Sequence, residues 1–168
     1  MNITLIGMPA SGKSTVGVLL AKRLGLSFID TDILIQEQEK CLLKDIIAKE
    51  GLEGFMKVEN QVNRDVQAKN AVIAPGGSVV YGQEAMEHLK AISTVVYLKL
   101  NFEELEKRLG NLKDRGVVLK DGMTLRDLYA ERVPLYEKYA DIIVDEEGKD
   151  AGAIVDFLRE IFERKNDG

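Results

Sequence analysis

A chain of 168 residues with 45% apolar and 30% charged residues has the composition of an ordinary globular protein and enough length for one α/β core, so a single domain spanning 1–168 is expected. A net charge of −5 without any basic tract excludes DNA and RNA as expected partners, because phosphate-backbone attraction supplies most nucleic-acid affinity, and no segment approaches a membrane span. Cys41 is the only cysteine, which rules out an intramolecular disulfide, and the opening MNITLIGMPASGKS lacks the charged start and long apolar run of a secretory signal, so a reducing, cytoplasmic location is expected.

In chain order, apolar runs at residues 3–6, 27–29, 72–74, 95–100 and 142–144 alternate with helical patterns. Such alternation predicts a parallel sheet covered on both faces. The first run leads into residues 7–14, GMPASGKS, and then into the helical pattern STVGVLLAKRLG. The second ends at Asp30-Thr31-Asp32. A long, mostly helical insert over about 33–69 follows, broken near Gly51 and Gly54, and is placed to build a substrate pocket at the carboxyl end of the strands. Gly76-Gly77 follow the third run, and the single histidine, His88, lies in a charged helical stretch where a surface position is expected. After the fourth run the pattern lapses into a polar, glycine-punctuated loop over about 110–122, the candidate lid, and Thr124-x-x-Asp127 marks the next helix start with Thr124 as its N-cap.

Residues 7–14 match G-x-x-x-x-G-K-[ST] in full, in the strand–loop–helix context that the motif requires. Gly7 and Gly12 permit a backbone whose amides point at phosphate oxygens; Lys13 would reach the β- and γ-phosphates and Ser14 would ligate Mg²⁺. The following helix adds the positive end of its dipole. There is no N-K-x-D for guanine, and neither the third nor the fourth run ends in a hydrolytic Walker B acid. The missing carboxylates are found after the second strand. In an extended segment Asp30 and Asp32 project to one side, so one could serve the Mg²⁺ shell and the other a substrate hydroxyl, while a helix-capping role for Asp32 stays open.

The ordered set of motifs resembles the shikimate kinases, members of the nucleoside-monophosphate-kinase-like P-loop group. GMPASGKSTVG matches the family's opening loop, DTD its second-strand motif, GFMKVENQV its F-R-x-x-E stretch, and APGGSVV its triple-glycine loop. Arg108 and Arg115 keep the spacing of the nucleotide-side and lid arginines, and ERVPLYEKYAD matches the R-x-P-x-Y stretch. The resemblance implies a three-layer fold with a five-stranded parallel sheet in the order 2-3-1-4-5, ATP and Mg²⁺ as cofactors, and a small hydroxylated substrate. It implies nucleotide contacts from Gly7, Ala10, Ser11, Gly12, Lys13, Ser14 and Thr15, with Arg108 and Lys149 near the base and Arg115 closing over the phosphates. Metal support falls to Ser14 and Asp30, the catalytic base to Asp32 beside Lys13 and Arg115, and acceptor binding to Asp32, position 56, Glu59, Gly76, Gly77 and Arg132. The likeness leans to a monomer.

Three departures face the acceptor. Met56 stands where the family has a second carboxylate-binding arginine, Ser78 stands for the third glycine and is expected to add a side chain beside the substrate, and the lid reads R-G-V-V-L rather than R-P-L-L. Ala10 replaces a loop glycine, with little effect expected on phosphate binding. A lost charge-assisted arginine contact is worth roughly 1.5–3 kcal/mol, about 10- to 150-fold in affinity, so a kinase for another small hydroxy acid or polyol stays open beside shikimate, as does a nucleotide-binding module without turnover. Arg132 could also pair with Glu131 or Asp127, and Glu59 on an amphipathic helix would by default be exposed. If residues 110–122 close over a filled site, hydrogen exchange across 111–121 should slow when an ATP analogue and the acceptor bind together; equal protection with and without ligands would contradict closure.

Overall fold

The computed structural model describes residues 1–110 and 120–168; Arg115 and most of the candidate lid lie outside the described residues. Five strands, β1 (Asn2–Ile6), β2 (Ser27–Asp30), β3 (Ala71–Ala74), β4 (Thr94–Lys99) and β5 (Ile142–Asp145), form one sheet in the order β2-β3-β1-β4-β5. Every neighbouring pair is parallel, with Ile3 opposite Val72 on one side and Thr94 on the other. The order agrees with the one the resemblance implied. Among the described residues seven helices connect the strands: α1 (Lys13–Leu24), α2 (Thr31–Glu39), α3 (Leu43–Arg64), α4 (Gln83–Ile92), α5 (Phe102–Leu109), α6 (Leu125–Tyr139) and α7 (Ala151–Asn166), with a 3-10 turn at Gly77–Tyr81.

The central strands β1, β3 and β4 are buried on both faces because helices cover both sides of the sheet. Ile3 and Leu5 of β1 pack with Val72, Val96 and Leu98 against Val16 and Leu20 of α1 and Ile154, Leu158 and Phe162 of α7. On the other side Ile6, Ile73, Val95 and Tyr97 meet Met86 and Leu89 of α4, Leu105 and Leu109 of α5, and Leu128 and Tyr136 of α6. Burying each large apolar side chain contributes about 1.5–3 kcal/mol, which is why the sheet is sandwiched rather than open. A smaller cluster of Ile35, Ile46, Phe55 and Val62 joins α2 to α3. The 33–69 stretch is mostly helical, formed by α2 and α3 with a break between them at 40–42 and a kink within α3 at Gly51, whose φ of 73° and ψ of 177° lie outside helix; Gly54 stays inside α3. His88 is only partly exposed, its ring Nε2 lying 2.7 Å from the Val66 carbonyl oxygen. No helix among the described residues is long and apolar enough to cross a membrane.

Parallel strands bring all carboxyl ends to one edge. β1 lies between β3 and β4: from β1 the chain runs to β2 on the β3 side and later crosses from β3 to β4 on the other, and the crevice at such a switch point is where open α/β sheets bind ligands. The loop after β1, Asp30 at the end of β2 and Gly76-Gly77 after β3 therefore meet at one place.

Thr124 caps α6 as its sequence predicts. Its hydroxyl accepts from the Asp127 amide at 3.1 Å while Asp127 Oδ2 accepts from the Thr124 amide at 3.0 Å, a reciprocal capping box. Thr124→Ala should lower the unfolding free energy by about 1 kcal/mol and the midpoint of thermal unfolding by about 2–4 °C, with Thr124→Ser close to wild type. An alanine variant as stable as wild type would show that the box contributes nothing.

Candidate active site

The loop after β1 is drawn tight by its own lysine. Lys13 Nζ donates to the carbonyls of Gly7 at 2.8 Å and Met8 at 2.9 Å, and the Ser11 amide donates to Met8 O at 3.1 Å. A β-carbon at Gly7 would lie 2.8 Å from Leu98 O, so only glycine lets the loop pass over β4. Gly12 caps α1 at φ 89°. Ala10 holds φ 66°, a left-handed conformation that costs an L-residue about 1–2 kcal/mol, so the departure from glycine bears on stability, a cost not visible in the sequence. Arg108, expected near the base, donates to Ala10 O at 3.0 Å and to Glu104 Oε1 at 3.1 Å, and so steadies the loop from α5. Ser14 and Thr15 open α1 with exposed side chains.

Beside this loop lies a cavity of about 560 Å³. Lys13, Ser14, Asp30 and Asp32 line it from the carboxyl ends of β1 and β2, Gly76, Gly77 and Ser78 from the end of β3, and Arg132 from α6. α3 gives it an apolar wall of Leu43, Ile47, Leu52 and Phe55, together with Glu59 and Lys44.

Asp30 and Asp32 both reach the cavity, but not as two residues of one extended segment. α2 begins at Thr31, Asp30 is its N-cap, and Asp30 Oδ1 accepts from the Asp32 amide at 2.9 Å, so the capping role falls to Asp30. Asp32 then projects from the first turn. Burial, reinforced by the Asp30 charge and opposed by Lys13, raises its pKa to about 6. Burial likewise lowers the Lys13 ammonium to about 8, although Asp32 pulls it back up. Ser14 and Asp30 offer a hydroxyl and a carboxylate, the oxygen donors Mg²⁺ prefers, and an ion that keeps several waters and phosphate oxygens needs no more from the protein, so the residues fit that ion.

Glu59 is buried, 3% exposed, contrary to the default for an amphipathic helix, because α3 turns this face onto the 3-10 turn rather than to solvent. Ser78 Oγ donates to Glu59 Oε1 at 2.6 Å. The Ser78 hydroxyl is therefore committed to Glu59 rather than offered to the cavity as an added obstacle. Burial raises Glu59 to about 7, with the Ser78 hydrogen bond working against the rise. A β-carbon at Gly76 would lie 3.0 Å from Asp32 Oδ1 and 3.1 Å from Glu59 Oε2, and one at Gly77 would lie 3.0 Å from Arg132 Nη1. The two glycines thus admit both carboxyls and the guanidinium to the same backbone.

Arg132 is 1% exposed and does not take Asp127, which is held in the capping box. Its Nε donates to Tyr81 OH at 3.4 Å and its guanidinium lies 5.4 Å from the Tyr81 ring centroid. One turn on, Tyr136 OH donates to Gly77 O at 2.6 Å, while Pro134 between them stays on the exposed face. Two expected residues stand apart. Met56 lines an adjoining hollow with Lys57, Asn60 and Tyr81 rather than the cavity, because it sits on the α3 face turned to the 3-10 turn. Lys149 is exposed and donates to Asp145 O at 2.9 Å.

Sequence reasoning missed four residues. Lys44 is, with Lys13 and Arg132, one of three cations lining the cavity among the described residues, and only its place on α3 reveals it. Tyr81 and Tyr136 hold Arg132 and Gly77; the Tyr of R-x-P-x-Y could have signalled the second. Glu146, 5% exposed, is raised to about 7 by burial against the pull of Arg108 and Lys13.

The Glu59 pKa gives stability a pH dependence with a definite sign. The folded state keeps a proton up to about 7 that the unfolded chain releases near 4.5, so this group's contribution is most favourable below 4.5 and falls as pH rises to 7. Glu59→Gln removes that loss, so its stability relative to wild type should climb across pH 4.5–7 by up to about 3 kcal/mol in denaturant titrations. A constant difference across that range would contradict a buried, protonated Glu59.

The model of the shikimate kinase family matches residues 9–163. A shikimate kinase of Moorella thermoacetica is 42% identical over 163 residues, covering 95% of this chain and 92% of the relative, and that of Persephonella marina is 35% identical over 155, covering 92% and 94%. Among solved structures, a shikimate kinase from Acinetobacter baumannii in complex with shikimate superposes with a TM-score of 0.86 at 32% identity, covering 98% of this chain and 94% of the other. That from Aquifex aeolicus gives 0.85 at 34%, covering 99% and 98%. With a complete phosphate-loop motif and beside it a cavity lined by Lys13, Lys44 and Arg132 as well as Asp30, Asp32 and Glu59, the chain belongs to the shikimate kinase family and is a small-molecule kinase.

Proposed function

We propose that the protein transfers the γ-phosphoryl group of ATP to the 3-hydroxyl of shikimate, giving shikimate 3-phosphate and ADP. The observation that carries this reading is the cavity in which Asp32 and Arg132 face each other across Gly76-Gly77, directly beside the phosphate loop. Arg132 would take the acceptor carboxylate, with Lys44 adding a further positive charge to the cavity. Asp32 would orient the hydroxyl and accept its proton as the oxygen bonds to phosphorus and the bond to the ADP bridging oxygen breaks. Lys13, released from Gly7 O and Met8 O, would follow the γ-phosphoryl charge. Mg²⁺, held by Ser14 and Asp30 with its own waters, would neutralise phosphate charge. Gly7, Ser11, Gly12 and Thr15 would serve the phosphates through the loop and the start of α1, Arg108 would hold that loop near the base, and Arg115 would close over the phosphates. One domain acting as a monomer in a reducing, cytoplasmic compartment fits the single Cys41.

The test is ATP consumption against shikimate, quinate, gluconate and related hydroxy acids and polyols, for wild type and two variants. Shikimate should be the preferred acceptor. Lys13→Ala should remain folded and lose at least about a hundredfold in turnover, and Asp32→Asn should lose kcat with ATP affinity little changed. Near wild-type turnover by Lys13→Ala, or turnover of gluconate alone, would contradict the proposal.

A further inference from the structure

Two of the three acceptor-side departures, Met56 and Ser78, lie around the same carboxyl. Glu59 is buried on α3 and takes the Ser78 hydroxyl on Oε1 at 2.6 Å, while Oε2 lies against Gly76 beside Asp32 Oδ1, inside the cavity. Met56 precedes Glu59 by three residues on the same helix, so the two share a face, and both line the adjoining hollow of about 280 Å³ together with Ser78. An arginine at position 56, as the resemblance places there, would stand one turn from Glu59 and bring it a cation. A glycine at position 78 would offer it nothing. With neither partner, Glu59 would have only the more distant charges of Arg132 and Lys13 set against its burial.

We propose that Met56 and Ser78 are one coupled exchange: Ser78 is a positioning residue that holds Glu59 by Oε1 and keeps Oε2 turned to the acceptor, in place of a cation at position 56. The proposal rests on the phosphotransfer to shikimate set out above. Besides Ser78, the groups acting electrostatically on Glu59 are Asp32 from α2, Arg132 from α6 and Lys13 from α1. A pKa of about 7 fits a partner that donates one hydrogen bond without bringing charge. The exchange leaves the pocket one fixed cation poorer while keeping Glu59 in place, which favours acceptors read through their hydroxyls at least as much as through their carboxylate.

The test is a double-mutant cycle of Ser78→Gly and Met56→Arg, with Ser78→Ala as a second removal of the hydroxyl that adds no backbone freedom. Both removals should raise KM for shikimate about tenfold and leave KM for ATP unchanged. Met56→Arg should restore most of that loss in the Ser78→Gly background and do less in wild type. Unchanged KM for shikimate, an equal rise in both KM values, a loss with glycine but not alanine, or equal effects of Met56→Arg in both backgrounds would overturn the coupling. Wild type that ignores shikimate would sink the functional proposal instead, and the coupling would then be decided in the acceptor-free protein by NMR titration of the Glu59 side-chain carboxyl carbon. Loss of the Ser78 hydroxyl should move that titration to higher pH and Met56→Arg should bring it back down. A Glu59 titration indifferent to residue 78, or a shift that Met56→Arg fails to reverse, would overturn it.

Discussion

Lys13, Asp32, Glu59 and Arg132 come together in one cavity where each is largely removed from water. Withdrawing a charge from water costs several kcal/mol unless partners replace the lost hydration, at roughly that order for each ion in real proteins. Here the replacement is mutual but incomplete. Asp32 pulls Lys13 up and Lys13 pulls Asp32 down, yet burial still dominates both. Glu59 accepts from the neutral Ser78 hydroxyl, and Tyr81 is among the partners of Arg132. In the proposed reaction, phosphate oxygens would bring further counter-charge to the Lys13 ammonium, which burial holds below its ordinary pKa. Pre-set donors and acceptors of this kind stabilise developing charge without reorganisation at the moment of reaction.

The sheet makes that convergence possible by placing three strand ends at one edge, and long-range side-chain bonds then fix what the strands leave loose. Arg108 reaches back from α5 to the Ala10 carbonyl, and Tyr136 reaches from α6 to the Gly77 carbonyl. Each ties down a loop at the carboxyl edge of the sheet. Gly76 and Gly77 leave no side chain between Asp32, Glu59 and Arg132, and a methyl group at either would crowd charged atoms at about 3 Å.

What the sequence revealed and what it hid divide along the range of the interaction. The strands, the phosphate loop and the α6 cap are set by local pattern: apolar runs, glycine spacing, and a threonine three residues before an acid. The strand order and the acceptor residues came through resemblance. Hidden were the features decided by how distant elements rotate against each other. Which face of α3 meets the 3-10 turn determines that Glu59 is buried, that Met56 lies outside the cavity and that Lys44 lies within it. Asp30 rather than Asp32 caps α2 because the helix begins two residues earlier than the alternative supposed. For Ala10 the signal lay in the resemblance, which places a glycine there: the alanine holds a φ of 66°, the left-handed conformation that glycine adopts without cost.

The phosphate loop keeps the G-x-x-x-x-G-K-S motif, whereas the proposed acceptor side departs from the family pattern at Met56 and Ser78. The central claim is the identity of the bond formed. It is tested most directly by incubating the protein with ATP, Mg²⁺ and shikimate and following phosphorus and proton NMR spectra of the mixture. The account predicts a single phosphate monoester on the 3-hydroxyl, appearing in step with ADP. ADP accumulating with inorganic phosphate over unmodified shikimate, or a phosphate on another hydroxyl, would contradict it.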